Sequence, residues 1–192
     1  MPLPGRALAA EQKLGGENMK KNIIVGQSGG PTAVINGSLY GVVSEGIKMT
    51  DHIDTVYGMI NGIEGFLQGH YMDLGALDTT NELELVRTTP GAYLGSCRYK
   101  LPEDLHDPVY PELFRRFEEL NIGYFFYIGG NDSMDTVSKL SRYAGFMNST
   151  IRFIGVPKTI DNDLVETDHT PGYGSAAKYV ATTVREIAID AS

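Results

Sequence analysis

Cysteine is almost missing from this chain. Its 192 residues hold one, Cys97, so no internal disulfide can form and a reducing cytoplasm is the expected location. Nothing in the sequence places a base beside Cys97, so it reads as incidental. Positive charge is scarce as well: 16 Lys and Arg face 24 Asp and Glu, for a formal net charge of −8. A nucleic-acid backbone requires a basic face, so nucleic acid is excluded as the main partner. A small phosphate ligand is not excluded, because local loops rather than net charge decide such a site. No apolar run approaches the roughly 20 residues of a membrane span, so no membrane partner is expected. Residues 1–17 carry no basic stretch leading into a long apolar core, which argues against a secretory signal. Residues 1–20 read as a disordered or non-native extension, with Met19 as the expected natural start. There is no internal repeat and no low-complexity linker.

What is present is ordinary in bulk. The chain is 42% hydrophobic and 21% charged, the range of a soluble globular protein. Short β-branched or aromatic runs alternate with helical periodicity. Ile23–Val25, Thr55–Ile60, Tyr124–Ile128 and Ile151–Val156 read as strands, the third as a buried central one. Ile35, Leu39, Val42 and Ile47 recur at helical spacing over residues 32–47. Pro111 opens a helix faced by Leu113, Phe117 and Leu120. Asp132 or Ser133 caps another that runs to about Tyr143. Val180, Val184 and Ile187 form the apolar stripe of the last. Between them, Asn61–Gly65 is turn chemistry. A short helix is expected from Asn81 to Val86, and Ala92–Arg98 is a loop or short strand. This alternation predicts an α/β fold with a mostly parallel sheet flanked by helices.

Three of the strands run straight into polar, glycine-bearing loops, which a parallel sheet collects at its carboxyl edge, where ligands of such sheets bind. Ser28-Gly29-Gly30-Pro31 can hold an anion on backbone N–H groups, or can be a tight turn that needs small residues. It matches neither the Gly-x-x-x-x-Gly-Lys-Ser/Thr pattern nor the Gly-x-Gly-x-x-Gly spacing. Gly129-Gly130-Asn131-Asp132-Ser133 permits close backbone approach, and Asn131 and Asp132 offer oxygens to a hard cation such as magnesium; a helix cap is the plainer alternative. Lys158-Thr159-Ile160-Asp161-Asn162-Asp163 is the most telling of the three. Phosphoryl transfer needs a base for the attacking hydroxyl and a cation for the charge on the transferred group and leaving oxygens. Asp161 fits the first role and Lys158 the second, while Thr159 can bond a phosphate. The alternative is a solvated polar turn. Arg98 can fork onto a phosphate, or be an ordinary surface arginine. Asp168, His169 and Tyr173 sit near a glycine-rich bend, with His169 read as structural.

Taken in order, Ser28-Gly29-Gly30, Gly95-Ser96-Cys97-Arg98, Gly129–Ser133, Pro157–Asp163 and Thr170–Ala176 resemble the phosphofructokinase family, from about Lys21 to Ser192. The resemblance implies a Rossmann-like N-terminal lobe and phosphoryl transfer to the 1-hydroxyl of fructose 6-phosphate, giving fructose 1,6-bisphosphate in glycolysis with magnesium. It places the catalytic aspartate on Asp161, with Lys158 and Asp132 beside it. It puts sugar contacts on Thr159, Ile160 and Asp163, and donor-phosphate contacts on Gly29, Gly30, Arg98, Gly130 and Ser133. Asn131 falls on a metal-associated position where ATP-using members carry aspartate.

Two positions separate donor classes in that family. ATP-using members typically have glycine at the position of Asp132 and often at that of Lys158, whereas pyrophosphate-using members have aspartate and lysine. The chain therefore resembles the reversible, pyrophosphate-dependent type, and elementary electrostatics agrees. A carboxylate ~4 Å from a nucleotide's α-phosphate, at an effective dielectric of 20, repels it by about 4 kcal/mol, roughly three powers of ten in affinity. Pro31-Thr32-Ala33 replaces the Asp-Ala-Pro of many members and fits the same type. The family's Met-Gly-Arg sugar-phosphate motif and second lobe are not in these 192 residues. The expectation is thus a donor-binding lobe over residues 21–192 with little activity alone, exposed apolar surface, and a homo-oligomeric full-length enzyme. An ATP-dependent phosphofructokinase and a non-catalytic regulatory subunit are the alternatives.

Overall fold

The structure, a computed structural model, describes residues 19–79 and 82–192. Most of the extension read over residues 1–20 lies outside them. Strands β1 (Lys21–Gln27), β2 (Ile53–Met59), β3 (Tyr71–Asp73), β4 (Ile122–Gly129) and β5 (Arg152–Pro157) form one sheet. Their order is β3-β2-β1-β4-β5. Seven helices connect or follow them: α1 (Ile35–Lys48), α2 (Gly62–Leu67), α3 (Ala76–Thr79), α4 (Glu82–Thr88), α5 (Val109–Glu119), α6 (Asn131–Phe146) and α7 (Tyr173–Asp190). β1, β2, β4 and β5 run parallel and β3 antiparallel, which is the expected α/β class. None of the described helices is long and apolar enough to cross a membrane.

Alternation along the inner strands sorts the core into two layers. Ile24, Phe125 and Tyr127 point to one face, where Leu113, Phe114 and Phe117 of α5 and Leu140 and Tyr143 of α6 cover them. Ile23, Val25 and Ile128 point to the other, under Ile35, Leu39 and Val43 of α1 and Leu83 and Val86 of α4. Leaving one strand and winding outward in both directions creates a switch point between β1 and β4. Their carboxyl ends, with that of β5, aim three loops at a common region.

Several local expectations need correction. Residues 61–65 are not just a turn. Asn61 and Gly62 take positive φ values of 57° and 59°, which reverse the chain and launch α2. The chain then returns as the antiparallel strand β3, three residues long and therefore invisible to periodicity. Of the two readings of Ala92–Arg98, loop or short strand, the structure has the loop. The helix expected at Pro111 begins at Val109, whose N–H donates to Asp107 Oδ1 at 2.9 Å. α4 starts no later than Glu82; Asn81 lies outside the described residues. Tyr124–Ile128 is an inner strand, but the centre of the sheet is β1. The stripe on α7 is present yet uncovered: Val180, Val184 and Ile187 are 57 to 62% exposed.

The irregular segment between α4 and α5 is placed by buried amides rather than by packing alone. Gln27, at the end of β1, is fully buried. Its Oε1 accepts from Leu94 N at 2.9 Å, and its Nε2 donates to Asn36 Oδ1 at 2.9 Å. Asn36, on α1, donates to Thr89 O at 2.7 Å and Gly91 O at 3.1 Å, and accepts from Tyr93 N at 2.9 Å. Deleting such a side chain takes this partner from three partly buried backbone groups and from the buried Gln27 amide. Asn36→Ala is expected to lower the unfolding free energy by about 2 to 3 kcal/mol and to speed amide exchange at Tyr93. Urea melts and hydrogen exchange check this; a loss under ~0.5 kcal/mol would show that the segment holds itself.

Candidate active site

A cleft of about 470 Å³ lies where the three loops meet. The first loop leaves β1 at Ser28. Gly29 has φ 76°, and a Cβ there would stand 3.3 Å from Lys158 Nζ, so glycine serves both the backbone conformation and the close approach. The loop is laced to residues 96–97. Gly29 N donates to Cys97 O at 3.1 Å, Ser28 Oγ to the same oxygen at 3.2 Å, and Ser96 Oγ to Gly29 O at 2.5 Å. These bonds carry Arg98 to the cleft, where it makes no hydrogen bond or ion pair with another described residue. Cys97 itself is buried with its Sγ 3.6 Å from Tyr127 Oη, and burial pushes the Tyr127 phenol well above the ordinary tyrosine range.

The second loop leaves β4. A Cβ on Gly129 would collide with Ser133 Oγ, so the paired glycines let α6 begin hard against the strand. Gly130 is the N-cap, and neither Asp132 nor Ser133 caps the helix. The carbonyl of Gly130 accepts from Ser133 N and Met134 N, both at 3.0 Å. Both candidate caps are inside the helix: Ser133 is buried under Gly129, and Asp132 stands out in water. The N-terminal turn of α6, with its unpaired N–H groups and positive dipole end, opens on the cleft.

The third loop leaves β5. Lys158 is 4% exposed, and its Nζ donates to Gly30 O at 2.6 Å. Its backbone N–H donates to Gly129 O at 3.0 Å, so one residue joins all three loops. Burial, and then the nearby Arg98 guanidinium, push its pKa below the ordinary lysine value; Asp161 opposes them. Thr159 Oγ1 accepts from Asp161 N at 3.0 Å and lies 3.4 Å from Asp161 Oδ2. Asn162 takes φ 53°; its amide donates to Asp168 O at 3.1 Å and accepts from Thr170 N at 3.0 Å. Thr170 Oγ1 in turn donates to Thr159 O at 3.0 Å. Asn131 Nδ2 donates to Asp163 Oδ2 at 2.6 Å, tying the second loop to the third.

The residues that the sequence marks for catalysis, substrate, donor or metal all line this one cleft: Gly29, Gly30, Arg98, Gly130, Asn131, Asp132, Ser133, and Lys158 to Asp161 with Asp163. His169 does not line it; its ring lies 6.1 Å from that of Tyr173. Sequence reasoning missed Tyr99 and Lys100, which also line it, and the bracing roles of Gln27, Asn36 and Asn162. Lys100 follows Arg98 by two residues, but nothing in an irregular loop marks which side chains face inward. Thr32 also borders the cleft, and its hydroxyl is buried without a hydrogen-bond partner among the described residues.

Among the described residues, no three His, Cys, Asp or Glu side chains gather as a metal cluster. The oxygens of Asp161, Asp163 and Asn131 around the cleft still suit magnesium. That ion keeps several waters and commonly takes one or two carboxylates plus ligand phosphates.

The phosphofructokinase family profile matches residues 22–192. The chain is 46% identical over 171 residues to a pyrophosphate–fructose 6-phosphate 1-phosphotransferase of Rhodospirillum rubrum, covering 89% of this chain and 41% of that one. It is 36% identical over 150 residues to an ATP-dependent 6-phosphofructokinase of Streptomyces coelicolor, covering 78% and 40%. Among solved structures, a pyrophosphate-dependent phosphofructokinase of Nitrosospira multiformis aligns with a TM-score of 0.81 at 43% identity, over 88% of this chain and 42% of that one. The chain thus spans about 40% of the length of the curated relatives it matches.

The depressed Lys158 sets a pH test with a definite sign. Between its lowered folded-state pKa and the ordinary lysine value of about 10.5, the unfolded chain holds a proton that the folded chain has shed, so stability rises with pH. Urea melts between pH 7 and about 10.5 are expected to show the wild type gaining on Lys158→Met as pH climbs. A difference independent of pH would mean that the ammonium is not strained by its site.

Proposed function

The chain belongs to the phosphofructokinase family, and from that premise we propose that residues 21–192 are the donor-binding lobe of a pyrophosphate-dependent enzyme. It moves a phosphoryl group from pyrophosphate to the 1-hydroxyl of fructose 6-phosphate, giving fructose 1,6-bisphosphate, a reversible glycolytic step in the cytoplasm. Asp161 takes the hydroxyl proton as the sugar oxygen attacks the nearer phosphorus. The bridging P–O bond breaks, and its electron pair leaves with phosphate. Lys158 supplies positive charge to that leaving group. Arg98, the N–H groups around Gly29, Gly30 and Gly130, and Ser133 hold the donor. Thr159, Ile160 and Asp163 lie on the sugar side. Asp161, Asp163 and the Asn131 oxygen would hold magnesium, which would supply positive charge to the phosphate oxygens.

The observation that carries this reading is the position of Asp132. Its carboxylate stands in the donor cleft with Lys158 and Arg98, where a nucleotide would bring further negative charge. Pyrophosphate has no third phosphate or nucleoside to place there. The names of the similar proteins from Rhodospirillum and Nitrosospira support the same donor. The ATP-dependent relative from Streptomyces keeps the nucleotide reading as the alternative.

Little turnover is expected of this chain by itself, since holding both substrates supplies a large part of such catalysis. A second lobe completes the sugar site and packs on the uncovered stripe of α7, and the full-length enzyme is a homo-oligomer, dimeric or tetrameric. Titration calorimetry of the purified chain with magnesium pyrophosphate and, separately, magnesium ATP tests the donor. Heat is expected from pyrophosphate alone, and Asp132→Gly is expected to gain ATP binding. Tight ATP binding by the wild type would hand first place to the nucleotide reading, and binding of neither would sink the assignment of donor binding to this lobe.

A further inference from the structure

Lys100 lines the cleft, and the mechanism above has no use for it. Its Nζ lies 3.1 Å from Asp132 Oδ1, bridging the loop after Arg98 to the first turn of α6. The two side chains are 72% and 75% exposed. Ion pairs so exposed contribute little to folding, so the fold has no need of this one.

The backbone beneath Lys100 is nevertheless pinned on both sides. Upstream, Cys97 O accepts from Gly29 N and Ser28 Oγ. Downstream, Leu101 is buried and its carbonyl accepts from Lys139 Nζ at 3.1 Å. Lys139 is itself buried and clamped by Glu103 at 2.6 Å and Asp135 at 2.7 Å. Between these anchors run three residues. Tyr99 packs toward the core, which leaves Arg98 and Lys100 as the two that project from the segment. The fold thus presents two cations side by side at the cleft, one unpaired and one held by a carboxylate.

We infer that Lys100 is a further donor-binding residue and that Asp132 aims it across the mouth of the cleft; this rests on the pyrophosphate reading. A pyrophosphate brings several negative charges to a cleft where Lys158 is already bonded to Gly30 O. Lys100 adds three N–H donors and offsets the repulsion between Asp132 and the donor. Asp132 then has two roles, excluding a nucleotide and keeping the amine of a flexible side chain at the mouth. Without its carboxylate anchor, Lys100 swings into solvent and its contribution is lost to side-chain entropy.

Calorimetric titration of magnesium pyrophosphate into the wild type, Lys100→Ala, Lys100→Arg, Asp132→Asn and the Lys100→Ala/Asp132→Asn double variant tests both halves, at two salt concentrations. Lys100→Ala is expected to weaken binding about fivefold, the scale of one exposed unit-charge contact, with a shallower salt dependence and an unchanged Tm. Lys100→Arg should stay within ~2-fold of the wild type, because it keeps the charge. In the Asp132→Asn background the loss from Lys100→Ala should shrink to ~2-fold or less, the sign of coupled residues. A Lys100→Ala chain that binds as the wild type does would overturn the inference and leave the pyrophosphate reading standing. An equal loss in both backgrounds would overturn the anchoring role of Asp132. A wild type that binds no pyrophosphate would overturn the donor reading and this inference with it.

Discussion

A lysine almost removed from water holds this site together. Lys158 donates through Nζ to Gly30 O and through its backbone to Gly129 O, so the ends of β1, β4 and β5 are tied at one residue. Charge burial of this kind is unfavourable unless the ammonium finds partners. One partner here is a carbonyl, which satisfies a donor but does not neutralise it. The remaining compensation comes from Asp161, and Arg98 works against it. The site is therefore short of negative charge at its deepest point, which is the condition for taking up an anion there. Gly29 follows from the same constraint, because any Cβ would intrude on the amine.

The rest of the cleft is positioned by polar groups that reach no ligand. Gln27 and Asn36 hold residues 89–94, Ser28 and Ser96 hold residues 96–97, and Lys139 holds Leu101. This long irregular segment has few apolar anchors, Leu94 and Leu101 among them, so packing alone would leave its register loose. Side-chain amides and a buried ammonium do what a hydrogen-bonded ladder does for a strand. Asn162 performs the same service within the third loop. Its positive φ suits asparagine, and its amide closes the loop onto Asp168 and Thr170.

Much of this was legible in the sequence where one physical rule acts alone. β1 and β4 announce themselves as short unalternating β-branched or aromatic runs and α1 by apolar residues at helical spacing, and the polar loops that follow strands must gather at one edge of a parallel sheet. What escaped obeys more than one rule. β3 is too short to show a period. α2 hides behind turn residues because Asn61 and Gly62 really do turn the chain where the helix begins. Asp132 and Ser133 have the composition of caps, but the extended Gly130, two residues before the one and three before the other, starts the helix and releases both for other contacts. Within the site, the residues that carry chemistry stood out by type, whereas the inward direction of Lys100 depends on anchors at Cys97 and Leu101 that are distant in sequence from their partners.

The charge balance of the cleft shows why arrangement matters more than sum. Its lining holds three cations, Arg98, Lys100 and Lys158, and three carboxylates, Asp132, Asp161 and Asp163, in a chain of net charge −8. By count it should not attract an anion. But each carboxylate has a donor of its own: Lys100 for Asp132, Asn131 for Asp163, and the Thr159 hydroxyl beside Asp161. Among the cations, Arg98 has no such partner and Lys158 has only a carbonyl and a carboxylate beyond bonding reach. The neutral bonds leave Asp161 and Asp163 charged but hold their oxygens in place, while the Arg98 guanidinium stays free to turn to an anion and the N-terminal turn of α6 adds its own partial positive charge. An acidic protein can present an anion site on these terms, because within a few ångströms the nearest groups outweigh the net charge, which salt screens beyond about 8 to 10 Å.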